Sequence, residues 1–523
     1  MRRFRLVAVL SCVVVLVVCA GAVVLDNMGP SGIERYWQHE HAQQLEDLPE
    51  ADREAASSLN IDAETFASHL PVVSIDTGGQ EIPGERVNTS GVDNDGETHA
   101  NILVIDESRD RAVTLAPDGR ETVATSFSLF SNEGTANRLS DAPAFSTQAE
   151  LRIRGNSSRL FDKKSYSVHF TESDRLTARD FDVLDMGEED EWILNGPFLD
   201  KTMMRNYLSM NVAGEFMAYT PDVRFCELFI DGQYQGVYVL MESVKYGDDR
   251  VPLTESDPKS AATSYIVRRD WRDVTNRNLD DLLEVTRYTE GAPLSVVYPS
   301  QSKATDEQLA WVKAVINQIE KSLYSYDYDT SSYGYWNYLD ANTFVDYLIM
   351  SEFSSNTDAG SYSTFFYKDI RGKLCVGPVW DFNNAFNNSM DYDLSDMGFF
   401  MQNKTMFDML VKDEKFVEQV IARYRELRED TLSTDRLTEI IDETVDYLGP
   451  AIERNFAVWG YSFDATVVDD DNKLSPDERN SVSFEAAIGR LKENITERGA
   501  WLDRCIENLR QFSHESAVKK FNH

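Results

Sequence analysis

Near residue 300 the hydrophobic pattern of this chain changes period, and that change limits the folds open to it. Before it, apolar residues fall in short β-type runs such as Val72-Val73-Ser74-Ile75 and Ile102-Leu103-Val104-Ile105. Glu150–Arg154 leads through a Gly-Asn-Ser-Ser loop into Ser165–Phe170, which alternates as a half-buried strand does. Phe225–Phe229 and Gly236–Leu240 flank Asp231-Gly232, a strong hairpin signal. After Thr305 the period becomes helical. Leu309, Val312, Ile316, Ile319 and Leu323 share one face behind a Thr305/Gln308 capping box. The same spacing predicts helices near 341–353, 413–427, 435–447 and 483–511, and an earlier one over Asp200–Phe216. A β-rich half followed by a helical half predicts an α+β fold of two lobes, with any cleft between them.

A chain of 523 residues, 42% hydrophobic, is long enough to bury a large core. Its formal charge of −38 argues against nucleic acid, because phosphate contacts need a basic footprint. The charge is compatible with basic protein partners and keeps a secreted protein soluble. Arg2, Arg3 and Arg5 precede an uncharged run of 20 residues, Leu6–Leu25, which as a helix just spans a bilayer. This reads as a single-pass anchor; Ala20-Gly21-Ala22 offers a cleavage pattern, so a removed signal is the alternative. Either way the body is expected outside the cytoplasm. Residues 26–70 are polar and read as a stalk. Cys226, Cys375 and Cys505 lie far apart without a C-x-x-C, which argues against a thiolate metal site.

Two acidic patterns fail on chemistry. Asp76-Thr77-Gly78 mimics an aspartic-protease loop, but a shared-proton dyad needs a second such motif and none occurs. Asp469-Asp470-Asp471-Asn472 resembles the start of a calcium loop, yet Leu474 and Asn480 stand where the turn glycine and the closing acid belong. Gly377-Pro378-Val379-Trp380-Asp381-Phe382-Asn383 is different. An apolar run here ends in a carboxylate, 23 residues after Asp358. Carboxylates on successive loops suit metal-assisted phosphoryl transfer, one holding the cation and one orienting an acceptor hydroxyl. Arg154-Gly155-Asn156-Ser157-Ser158 with Lys163-Lys164 is a candidate phosphate loop, through backbone amides, hydroxyls and ammonium groups. On residue types alone the polar hairpin tip is the favoured reading, since small polar residues are ordinary turn formers.

In this order, Arg154–Ser158 with Lys163–Tyr166, Asp190–Leu194, Asp200-Lys201 with Arg205-Asn206, Phe229–Tyr238 ending at Glu242, and Gly377–Phe382 resemble the spore coat protein H (CotH) kinase family. The resemblance covers roughly residues 70–400. It implies an atypical protein-kinase-like, two-lobed fold over 146–511, behind a β-rich region at 71–145 and before a tail at 512–523. It implies ATP and Mg²⁺ as cofactors and phosphorylation of Ser or Thr on secreted or cell-envelope proteins. Carried over by residue, Asp381 is the metal-binding aspartate with Asn383 beside it, and Asp358 is the catalytic aspartate. Lys164 is the phosphate lysine with Lys163 second, Arg154, Asn156 and Ser157 form the phosphate loop, and Glu242 with Val244 forms the nucleotide hinge.

Two positions depart from the family pattern. Asn383 stands where a second Asp is usual, and Ser363 where many relatives have Asn. Both are weaker oxygen ligands, so one cation would be held well and a second loosely. A catalytically weak envelope-binding protein on the same scaffold is therefore the alternative.

Overall fold

The structure, a computed structural model, describes residues 35–84, 102–106, 111–115, 121–155, 157–270, 294–300, 303–390, 393–394 and 398–516. Its strands are β1 (Val72–Asp76), β2 (Ile102–Asp106), β3 (Arg111–Leu115), β4 (Glu121–Phe130), β5 (Phe145–Arg154), β6 (Ser165–Thr171), β7 (Phe181–Asp182), β8 (Glu188–Glu189), β9 (Glu191–Asn195), β10 (Val223–Ile230), β11 (Gln233–Glu242), β12 (Tyr265–Arg269), β13 (Leu294–Tyr298), β14 (Thr364–Lys368) and β15 (Cys375–Val376).

Seven strands close a barrel in the order β1-β10-β11-β9-β6-β5-β4, because β1 pairs parallel to β10 on one side and antiparallel to β4 on the other. The β2–β3 hairpin continues from the start of β4. Period-two alternation sends Cys226, Leu228, Tyr238 and Leu240 into the barrel with Phe127, Val168, Trp192 and Leu194. The opposite faces of β10 and β11 are covered as well: Val223, Phe225, Val237 and Val239 belong to the helical core. Burial on both faces explains why these strands read as nearly continuous apolar runs. Asp231 and Gly232, with φ of 49° and 73°, form the two-residue turn between them.

A second antiparallel sheet, β13-β12-β14-β15, and the helices Asp306–Tyr324, Ala341–Ser354, Glu414–Glu429, Thr434–Leu448, Pro450–Trp459 and Phe484–Cys505 complete the body. The Thr305 capping box forms, with the Gln308 amide donating to Thr305 Oγ1 at 3.2 Å.

The expected two-lobed, kinase-like division is overturned. The first half closes into a barrel within a mixed α/β fold, and one continuous core runs from the outer face of β10 and β11 through the helices to Leu509. Closure depends on pairing Val72 with Glu227, a contact far apart in the chain that local periodicity does not encode. The N-terminal membrane anchor of that expectation lies outside the described residues. Among the described residues no helix is long and apolar enough to cross a membrane.

From Arg35 on, the polar segment lies against the body. The Gln38 side chain receives a hydrogen bond from the Phe225 amide at 2.6 Å and donates to the Phe225 carbonyl at 3.1 Å. It thereby continues the β10 ladder just beyond the point where β1 begins.

Candidate active site

Asp358 and Asp381 come from two loops that meet beside one end of the barrel. The first loop follows the helix Ala341–Ser354, which Asp340 caps by accepting from the Asn342 amide at 3.1 Å. Ser355, at φ 53°, ends that helix in the left-handed region. The loop then folds on itself, the Ser361 and Tyr362 amides donating to the Asp358 carbonyl at 2.9 and 2.8 Å. Gly360 is required: at φ 78° a Cβ there would stand 2.7 Å from Lys404 Cβ. That close approach lets Lys404 donate to the Thr357 carbonyl and to Ser361 Oγ, placing an ammonium beside Asp358.

The second loop leaves β15 and reaches Asp381 at φ 58°, a conformation that Asp and Asn tolerate better than other side chains. Phe365 packs edge-on to Trp380 at 5.9 Å, and the Arg154 guanidinium lies 5.6 Å from the centre of the same ring.

The loop beyond Asp381 is held from below. Asp200 accepts from the Arg205 amide at 2.8 Å and pairs with the Arg205 guanidinium, whose Nε donates to the Ala385 carbonyl at 2.9 Å. Asn206 accepts from the Phe382 amide at 2.7 Å and donates to Asn383 Oδ1 at 3.0 Å. The helix expected from Asp200 begins at Arg205 instead: Asp200–Met204 is a turn in which the Asp200 carbonyl accepts from the Met203 amide and the Asp200 carboxylate from the Thr202 and Arg205 amides.

The electrostatics are those of a site short of positive charge. Burial raises the Asp381 carboxyl; its hydrogen bond from Asn383 Nδ2 at 2.9 Å and the Arg154 charge offset this in part. Burial also raises Asp358, and the negative charge of Asp381 adds to the rise, against a hydrogen bond from Asn384 Nδ2 at 3.1 Å. Asp270, just past β12, pushes both carboxyls further up. A half-buried carboxylate such as Asp381 can hold a small divalent cation such as Mg²⁺, with the Ser363 hydroxyl nearby; Asn383 turns its Nδ2 to Asp381, its Oδ1 accepting from Asn206. Ser363 Oγ lies 3.5 Å from Asp381 Oδ2.

The other candidate residues divide. Arg154 and Lys164 share the barrel rim, since Arg154 pairs with Ser165 across β5–β6. Gly196 lets β9 pass so close that a Cβ there would be 2.5 Å from the Lys164 carbonyl. Lys164 Nζ donates to the Arg159 carbonyl at 2.8 Å, and burial lowers its pKa. Lys163 points the other way. It is 1% exposed, donates to the Val237 carbonyl at 2.6 Å and to Asn455 at 2.8 Å, and burial holds its pKa well below the ordinary lysine range.

Glu242 pairs with Trp192 on β9, three positions from the Asn195 end that leads to Asn383, or roughly 10 Å. Both its carboxylate oxygens are engaged, one by Arg250 and the other by Tyr219 and the Asp222 amide, and burial pushes its pKa up to about 7. Val244 is buried in the core beside it. Asn156 lies outside the described residues, and Ser157 opens the short turn Ser157–Arg159. Asp270, Asn384 and Lys404 were not singled out from the sequence. The Asn383-Asn384 doublet was the one local signal; Asp270 and Lys404 are brought in only by the tertiary fold.

The family described as CotH kinase protein matches residues 151–502. Inner spore coat protein H of Bacillus subtilis (strain 168) is 22% identical over 245 residues, covering 46% of this chain and 59% of that protein. The chain thus spans less than two thirds of that relative's length. The matched range contains both aspartate loops, the Asp200–Asn206 turn that supports them and most of the barrel, and on it this chain belongs to the CotH kinase protein family.

Proposed function

We propose that the chain is a phosphotransferase that moves the γ-phosphoryl group of ATP to Ser or Thr hydroxyls of secreted or cell-envelope proteins. The observation that supports this most is the pair of half-buried, mutually repelling carboxylates Asp358 and Asp381 on two loops fixed by separate sets of hydrogen bonds. Mg²⁺ bound there would neutralise the carboxylates and the phosphate oxygens as charge moves toward the leaving group. Asp358 orients the acceptor hydroxyl and takes its proton, a role its raised pKa favours. Arg154 and Lys164, at the barrel rim, supply positive charge toward the phosphates. The formal charge of −38 selects basic acceptor proteins over acidic ones. The body acts outside the cytoplasm, on the strength of the arginines and apolar run at the N-terminus.

The test is transfer from labelled ATP to a basic Ser/Thr-containing protein in the presence of Mg²⁺. Asp358→Asn is expected to lower kcat by about 10²–10⁴-fold with little change in nucleotide affinity. Unchanged turnover would remove Asp358 from the chemistry. Arg205→Lys keeps the charge but loses the planar guanidinium whose Nη1 pairs with Asp200 and whose Nε reaches the Ala385 carbonyl. It is expected to raise the Mg²⁺ concentration needed for half-maximal activity by about 10–100-fold, as loss of a supporting contact does.

A binding role without turnover is favoured by one feature: Asn383 and Ser363 both turn toward Asp381 as neutral partners where stronger ligands would serve a second cation. Asn383→Asp separates the readings. A gain of transfer at low Mg²⁺ supports the enzyme, whereas ATP binding without transfer in both forms supports the binding role.

A further inference from the structure

Three groups outside the aspartate loops converge where the N-terminal segment meets the helix Thr434–Leu448. They are His39, Glu40 and Glu443, each with a ligand atom within 4.8 Å of the other two. His39 is 6% exposed, held by Tyr207, whose hydroxyl lies 2.9 Å from Nδ1. Its other ring nitrogen, Nε2, is buried, aims at the two carboxylates and has no hydrogen-bond partner among the described residues. Glu443 Oε2 is 3.5 Å away from it.

An ordinary ion pair does not account for this contact. Burial, aided by His41, takes the His39 pKa down to about 4, so the ring is neutral near pH 7. The surroundings instead hold an excess of negative charge: burial raises Glu443, and Glu439, Glu40 and Asp446 raise it further.

We propose that His39 Nε2, Glu40 and Glu443 form a Zn²⁺ site that fastens the N-terminal segment to the helical body. One imidazole with two carboxylates is an N/O donor set suited to zinc, and bonds of about 2.0–2.1 Å put neighbouring ligand atoms roughly 3.3 Å apart. The 3.5 Å separation of Nε2 and Glu443 is already near that spacing. Tyr207 completes the arrangement: with Nδ1 donating to its hydroxyl, the lone pair is fixed on Nε2, as metal-bound histidines require. The fourth position is open to water or to His41, whose Nε2 is 3.7 Å from Glu40.

The site is distinct from the aspartate pair, and the experiment keeps them apart. The full chain carrying Asp381→Asn is stripped with a chelator, titrated with Zn²⁺ alone and read by calorimetry and by melting temperature. One zinc per chain and a rise in melting temperature are expected. Glu443→Gln and Glu40→Gln, both on half-exposed side chains, are expected to weaken binding at least tenfold. His39→Gln is expected to abolish it. Loss of limited proteolysis before Phe66 on adding Zn²⁺ would report the fastening directly. Absence of stoichiometric zinc, or zinc affinity unchanged from the parent in Glu443→Gln and Glu40→Gln, would overturn the site even if His39→Gln fails to fold.

Discussion

Asp381→Asn is expected to lower phosphoryl transfer by about 10³-fold or more, the several kcal/mol that an anchored divalent cation contributes to a phosphoryl transition state. Asn is the right replacement because it keeps the shape and tolerates φ 58°, where Ala would add backbone strain of its own. The same variant should be more stable than the parent without Mg²⁺. Asp381 is half-buried, and desolvation with the nearby Asp270 charge raises its pKa, so ionising it near pH 7 costs the folded state free energy that the unfolded chain does not lose.

The sign follows from linkage. A carboxyl whose folded pKa is raised binds its proton more tightly in the folded protein. Its contribution to stability therefore falls as pH rises from the unfolded value of about 3.9 through the raised folded one. Mg²⁺ should then stabilise the parent at pH 7 far more than at pH 4, where protons compete for the same oxygens. Asp381→Asn should lose most of that Mg²⁺ effect. A melting-temperature series in pH and Mg²⁺ measures both, without any turnover assay. Transfer within tenfold of the parent would take Asp381 out of the mechanism, and a Mg²⁺ response unchanged by the substitution would place the cation elsewhere.

How much of this was legible in the sequence depends on the range of the physics involved. The β10–β11 hairpin and the helix capped at Thr305 rest on residues within a few positions of one another, and both stand where spacing put them. Asp381 was findable because it ends a short apolar run; Asp358 follows the polar residues Ser354–Thr357, and only its spacing from Asp381 and the family resemblance brought it in. The barrel was not. β1 is five residues long, and its partners β4 and β10 lie some fifty and one hundred and fifty residues on, so nothing in its pattern distinguishes a closed sheet from a small open lobe. Lys163 and Lys164 show the finest limit. Adjacent residues entering β6 point to opposite faces, and only the position of Asn455, nearly three hundred residues later, makes Lys163 the buried one. The docking of Gln38 and His39 was hidden similarly, since a polar stretch that satisfies a strand's backbone reads like one that faces water.

The largest stability effect is expected where these distant pieces are tied together. Arg454, on the helix Pro450–Trp459, is fully buried and forks onto Glu227 of β10, with Nε at 2.9 Å from one oxygen and Nη2 at 2.7 Å from the other. Its remaining donors reach the carbonyls of Ala56 and Ser58 and the hydroxyl of Ser68, while Tyr234 donates to Glu227. One guanidinium thus joins barrel, helix and N-terminal segment. Arg454→Met leaves a carboxylate buried without its counter-charge, a loss of about 3–5 kcal/mol, or roughly 10 °C in melting temperature. Glu227→Leu alone should cost a similar amount by stranding the arginine.

The double variant should recover much of it, because an apolar pair removes the charge that needs compensation; what stays lost is the bonding of Ala56, Ser58 and Ser68. The pH response separates this pair from the aspartate site. Glu227 is held below its ordinary pKa, burial being outweighed by Arg454, so its contribution is present above the unfolded value and lost as pH falls through the folded one. Acid therefore weakens the barrel–helix tie while relieving the aspartate pair. The double variant should lose the first response and keep the second. Additive losses in the double variant would mean that the two side chains act separately and that the ion pair does not organise the junction.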